Sequence, residues 1–296
     1  MGNILTKQFY RQRKDFEDSC AGRDAGLTFP EGVRCSTDIA YADDGIKAHL
    51  LDIYRPEDSQ EKILPVIINV HGGGLIIGNK EFNRYFCALL CKKGFLVYSI
   101  EYRLIPDCLM YDQIADVFMA MDYIKERLAA DGGDSSHVYM AGDSGGACLI
   151  TYANAIQNST NIARAANVTP SGLRINALGL ISGMFYTSRF DKIGLFLPKY
   201  LYGRDYKKTP FAKYVIPENR ELLNSLAPVW LVTSHNDFLR RYTTDFEKAL
   251  TRAEREHELV VFPKNKKLTH AFSVFEPFMP ESGAVIDMMV EYLRKF

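Results

Sequence analysis

The sequence predicts an α/β fold with a mostly parallel central sheet, helices on both faces, and a cap laid over one end. Three observations predict it. Short continuous Val/Ile/Leu runs alternate with stretches of helical periodicity, which is how strands covered on both faces read. The first two β-rich stretches are joined by a turn signal, whereas later ones are separated by helix-length segments, as parallel pairing requires. Residues 1–32 and 184–226 fall outside the alternation and are assigned to the cap.

In chain order, strands at 33–41 and 46–54 flank Asp43-Asp44-Gly45, a hairpin signal. Runs at 63–70, 95–102, 137–141, 175–181, 229–233 and 258–262 then read as buried strands. Helical patterns at 83–92, 113–130 and 145–157 follow the third, fourth and fifth strands, and those at 242–257 and 283–295 come later. Within 113–130, Ile114, Val117, Met121, Ile124 and Leu128 recur at steps of three or four and make one apolar face. Residues 33–183 and 227–296 are therefore expected to form one α/β domain, with 1–32 as an N-terminal cap segment and 184–226 as a cap insertion. The insertion is rich in Phe, Tyr and Leu and broken by Pro198, Pro210 and Pro217. A loop this long inside a domain is usually functional, and its aromatic surface is expected to be buried.

Composition removes several function classes. The chain has 296 residues with 36 basic against 36 acidic side chains, so no bulk field draws it to phosphate backbones, and neither nucleic-acid binding nor stable membrane association is expected. No apolar run approaches membrane-spanning length, and the first residues lack the apolar core of an export signal. Met1-Gly2-Asn3-Ile4-Leu5-Thr6 matches a loose N-myristoylation pattern, too loose to predict lipidation. Six cysteines at non-ligating spacings predict no metal site and a reduced setting, read as cytoplasmic. Cys87 and Cys91, four apart in a helical pattern, are expected to pack as small apolar groups. Edge strands and cap surfaces would allow a homodimer.

The chemistry starts at the fifth strand, which runs into Gly142-Asp143-Ser144-Gly145-Gly146 and then a helix. This is G-x-S-x-G in the strand-turn-helix setting that projects a Ser hydroxyl outward from a sharp turn. Upstream, His71-Gly72-Gly73-Gly74 closes the third strand. The amides of Gly73, Gly74 and Gly145 suit an oxyanion hole, with His71, Gly72 and Asp143 supporting the two loops. Phosphate-loop patterns fail here, because Asn79 stands where a P-loop has Lys. A Ser hydroxyl needs a base oriented by a carboxylate. Catalytic groups gather at the carboxyl ends of parallel strands, which selects His270 after the last strand and Asp237 after the seventh. His257 precedes the last strand, His49 and His137 lie near strand starts, and His235 is assigned a structural role.

The order Ser144, Asp237, His270 and the two glycine motifs resemble the hormone-sensitive-lipase-like branch of the α/β-hydrolase fold, the small acetyl esterases and carboxylesterases. Leu51-Asp52-Ile53-Tyr54-Arg55-Pro56 and Glu101-Tyr102-Arg103-Leu104-Ile105-Pro106 are similar to that family's local motifs. The resemblance implies a serine hydrolase that cleaves short-chain, acetyl-type esters through an acyl-enzyme on Ser144, without a cofactor. It also implies that the two cap segments form the lid. An amidase or formamidase using the same triad is the alternative, with a non-catalytic small-molecule-binding protein behind it. Three departures bear on substrate fit: Gly145 stands where the family usually has Ala, Phe238 where it has Pro, and Ala271 where it has Gly.

Overall fold

A strand made of a Val/Ile run has no solvent face, so such strands must lie side by side beneath helices. In the computed structural model, which describes residues 2–59 and 62–296, helix α1 (Gly2–Asp24) precedes an antiparallel pair, β1 (Val33–Ala40) and β2 (Leu50–Pro56). Then follow β3 (Leu64–Val70), α2 (Arg84–Lys92), β4 (Leu96–Ile100), α3 (Met110–Arg127), β5 (Gly133–Asp143), α4 (Ser144–Asn158) and α5 (Thr160–Ala166). After β6 (Ala177–Ile181) come three short helices, α6 (Lys192–Phe196), α7 (Pro198–Leu201) and α8 (Arg220–Asn224). The chain closes with β7 (Val229–Ser234), α9 (Arg240–Arg252), β8 (His257–Phe262), α10 (Phe272–Phe275) and α11 (Pro280–Leu293). The strands form one sheet in the order β1-β2-β4-β3-β5-β6-β7-β8, parallel from β4 to β8.

The expected α/β architecture is present, with a core on each face of the sheet. Ile114, Val117, Met121 and Ile124 of α3 are buried on one face together with α4, each such side chain contributing about 1.5–3 kcal/mol of burial. Cys87 and Cys91 of α2 pack on the other face with Val285, Ile286 and Met289 of α11.

The differences have physical causes. The second strand starts at Leu50 rather than at 46, because the Asp44 carboxylate accepts from the Ile46 amide and meets the His49 ring, holding 41–49 as a loop. The fifth strand is longer than the run 137–141, since its polar first half still pairs with β3 at Gly133. Residues 2–24 form a helix that the apolar pattern did not announce. It is anchored by Arg13, whose guanidinium donates to the carbonyls of Ile76, Leu104 and Ile105 and pairs with Asp107. Met1, which opens the lipidation pattern, lies outside the described residues. In the 184–226 segment Phe185, Tyr186, Tyr202, Phe211 and Tyr214 are buried, but Phe190 is 92% exposed and Leu195 and Phe196 are also exposed. The expectation that all this aromatic surface is covered therefore fails at one tip. There the hydrogen bonds of Asp191 to the Ile193 and Gly194 amides turn the chain outward.

One register decides where chemistry can occur. The chain leaves β3 for β4 on one side and returns to β5 on the other, so the order of the strands reverses there. Val70 of β3 pairs with Gly142 of β5, which sets the 71–74 loop beside the 143–146 turn.

Candidate active site

Ser144 is the first residue of α4 and has φ +49°, the strained turn expected of a projected hydroxyl. The turn fits because Gly146 lets α4 come down on β3: a Cβ there would stand 2.1 Å from the Val70 carbonyl. The Ser144 hydroxyl lies 2.9 Å from His270 Nε2, to which it donates when Nδ1 carries the proton. His270 Nδ1 lies 2.8 Å from Asp237 Oδ1, which also accepts from the Leu239 amide. Asp237 Oδ2 accepts from the Thr233 hydroxyl at 2.8 Å, and the Ser182 hydroxyl bonds to the same carboxylate. Burial alone would raise the Asp237 pKa, but His270 and these donors outweigh it and hold the carboxyl below its ordinary value. The structure thus brings Ser144, His270 and Asp237 into one hydrogen-bonded line. His235 is outside it, exposed and accepting from Arg240.

The second feature is the pairing of two backbone loops. The Gly145 amide lies in the first turn of α4, where N–H groups have no partner within the helix. A Cβ on Gly145 would stand 2.8 Å from Leu75 N and 2.9 Å from Gly74 N, so the two loops are in close approach beside Ser144. Met184 borders the same space: its amide donates to the Ser144 carbonyl, and its sulfur lies 4.0 Å from where a Gly74 side chain would begin. Gly145→Ala, the residue usual in the resembled family, should therefore push the 73–75 loop away. The expected result is a fall in kcat/KM for p-nitrophenyl acetate of about tenfold to a hundredfold, as for partial loss of an oxyanion donor, read by initial rates.

His71, Gly72 and Asp143 hold this arrangement from below. Asp143 Oδ1 accepts from the Gly72 amide and from Asn83 Nδ2, both at 3.0 Å, tying the ends of β3 and β5 together. Burial pushes the Asp143 carboxyl above its ordinary value despite these donors. His71 is fully buried and stacked on Tyr102 at 4.4 Å. Its Nδ1 faces the Gly72 carbonyl at 2.8 Å and its Nε2 faces Glu101 Oε1 at 2.9 Å. Burial lowers the His71 pKa, but the Glu101 carboxylate and the Gly72 carbonyl outweigh it and raise the ring above its ordinary value.

The His71–Glu101 pair gives a pH prediction. The folded-state pKa of His71 exceeds the unfolded value of about 6.5, so its stabilising contribution is complete below that pH. It is lost as pH rises through the folded value. Urea unfolding should show wild type losing stability as pH rises above about 6.5, and Glu101→Gln should flatten that slope while lowering stability at pH 6.

Glu101, Asn83, Thr233 and Ser182 were not singled out by sequence reasoning. Glu101 lies inside a quoted motif and Ser182 directly follows β6, so both carried a usable signal. Asn83 carried none. Of the three departures, Phe238 is exposed and packs on the His270 ring at 4.4 Å, and Ala271 holds φ +48°, a left-handed conformation that Gly would adopt more easily.

Comparison with known proteins agrees with this fold. A family model described as alpha/beta hydrolase fold matches residues 67–273, more than half of the chain. An isoprenylcysteine alpha-carbonyl methylesterase of Arabidopsis thaliana is 27% identical over 155 residues, 52% of this chain and 35% of that protein. Esterase LipQ of Mycobacterium tuberculosis is 33% identical over 120 residues, 40% of this chain and 28% of its own length. The chain spans less than half the length of these curated relatives. The crystal structure of esterase B from Lactobacillus rhamnosis superposes with a TM-score of 0.92 at 22% identity, covering 99% of this chain and 95% of the other. With the sheet order, the two glycine motifs and the matched region in agreement, the chain belongs to the hormone-sensitive-lipase-like branch of the α/β-hydrolase fold family.

Proposed function

We propose that the protein is a carboxylic ester hydrolase that cleaves short-chain esters, acetyl esters foremost, through an acyl-enzyme on Ser144. The observation that carries the reading is the continuous line from Ser144 Oγ through both ring nitrogens of His270 to Asp237. In the first step Ser144 Oγ attacks the ester carbonyl carbon as its proton passes to His270 Nε2. Asp237 holds the Nδ1–H tautomer and stabilises the imidazolium that forms. The negative charge on the former carbonyl oxygen is met by the amides of Gly73, Gly74 and Gly145. Collapse breaks the bond to the alcohol oxygen, which leaves with the proton from Nε2. Water then attacks the acyl-enzyme by the same proton path, releasing the acid and restoring Ser144.

The short-acyl preference is supported by Met184, whose amide donates to the Ser144 carbonyl and whose sulfur borders Gly74 beside the nucleophile. A series of p-nitrophenyl esters from acetate to decanoate tests the reading. kcat/KM should peak at four carbons or fewer; a maximum at eight or more would sink the short-chain assignment. Faster turnover of matched anilides than of esters would instead make the protein an amidase.

A further inference from the structure

Phe190, 92% exposed, and the exposed Leu195 and Phe196 form an apolar tip on the segment after β6. They stand among cations: residues 184–214 hold seven basic side chains against two acidic ones, in a chain whose formal total is zero. The rest of the molecule is therefore net negative, and the protein carries a charge asymmetry that this tip terminates. Lys192, Lys199, Arg204 and Lys207 are exposed and have no carboxylate partner among the described residues. A hollow of about 370 Å³ at the tip is lined in part by Phe190, Leu195, Pro198, Lys199 and Lys207. Helix α1 touches the same end, since Phe9 packs on Tyr200 at 5.2 Å.

This surface adjoins the candidate site. Asp191, next to Phe190, accepts from the Tyr242 hydroxyl at 2.5 Å. The Tyr242 amide donates to the Leu239 carbonyl, and the Leu239 amide donates to Asp237. Phe238, 74% exposed, stands on the His270 ring between them.

We infer that this face docks the protein reversibly on an anionic lipid surface. Phe190, Leu195 and Phe196 enter the headgroup region and the surrounding lysines and arginines meet the lipid phosphates and carboxylates. Charge selects this occupant. A second copy would set Lys192, Lys199, Arg204 and Lys207 against the same four cations, the other three basic side chains being paired with Asp245, Asp205 and Glu221, whereas an anionic bilayer meets the lysines with opposite charge and the phenyl rings with hydrocarbon. Docked this way, the protein holds the exposed Phe238, and with it the His270 ring, close to the lipid, where partly apolar esters accumulate.

The inference goes beyond the proposed ester chemistry and does not depend on it, so Ser144→Ala should bind as wild type does. The test is co-sedimentation with vesicles of phosphatidylcholine alone or with about one-third phosphatidylserine, the anionic share that polybasic surfaces sense. Binding should appear on the anionic vesicles at low salt and be lost in high salt. Lys199→Glu/Lys207→Glu and Phe190→Ser/Phe196→Ser should each lower vesicle affinity by about tenfold or more. Neither should change p-nitrophenyl acetate turnover in vesicle-free buffer. Equal binding to neutral vesicles, no binding, or binding insensitive to both variants would overturn the inference. So would a dimer in sedimentation velocity that Phe190→Ser/Phe196→Ser dissolves while vesicles are ignored.

Discussion

Replacing Ser144 with Ala should lower turnover of p-nitrophenyl acetate by about four orders of magnitude or more, since loss of a serine nucleophile removes the acyl-enzyme route altogether. What remains would come from the amides of Gly73, Gly74 and Gly145 acting on the attack by water. The fold should be unaffected. Among the described residues the lost hydroxyl reaches only His270, at 2.9 Å, and Ala occupies the same φ +49° backbone. A thermal unfolding midpoint within a few degrees of wild type, measured beside the initial rates, separates loss of chemistry from loss of structure. Full activity in Ser144→Ala would remove the nucleophile assignment.

Asp237→Asn should cost about 10⁴-fold in kcat for a different reason. Asp237 presents only acceptors, and His270 Nδ1 must therefore donate to it, leaving Nε2 free to accept the Ser144 proton. An Asn whose oxygen stays with the Thr233 hydroxyl at the Oδ2 position turns its NH₂ group toward His270 and gives up the Leu239 amide at the Oδ1 position. The imidazole then carries its proton on Nε2, facing Ser144, and cannot act as base. Because Asp237 is held below the ordinary carboxyl range by His270 and its other donors, wild type keeps this carboxylate ionised through the neutral range. KM should change little. Activity measured against pH should recover in Asp237→Asn at strongly alkaline pH, where hydroxide takes over the base's role. A variant that retains wild-type kcat near pH 7 would place the orienting carboxylate elsewhere.

Much of this was legible along the chain because the signals are local. A buried strand, a Gly-rich turn and a helix start are each written within about ten residues, so G-x-S-x-G declared its own geometry. The selection of His270 and Asp237 used one further rule, that loops at the carboxyl ends of parallel strands share one edge of the sheet. The hydrogen bonds at 2.8 and 2.9 Å follow from that edge. Less legible were contacts between side chains with no shared pattern: Asn83 on Asp143, Glu101 on His71, and Arg13 reaching Ile76 from helix α1. Each joins residues that are neighbours only after the chain has crossed the sheet.

The sequence by itself determined the α/β class, the order of its elements and the types of side chain available at the strand ends. It did so because hydrophobic period and turn chemistry act over short distances. Only the tertiary structure decided how close the two glycine loops come. The Val70–Gly142 register of β3 and β5 sets that approach, and it leaves no room for a Cβ at Gly145. Tertiary packing also decided which aromatics of the 184–226 segment are covered. Composition demanded burial for all of them, but burial needs a surface to pack on, and the core beneath that segment ends before it reaches Phe190.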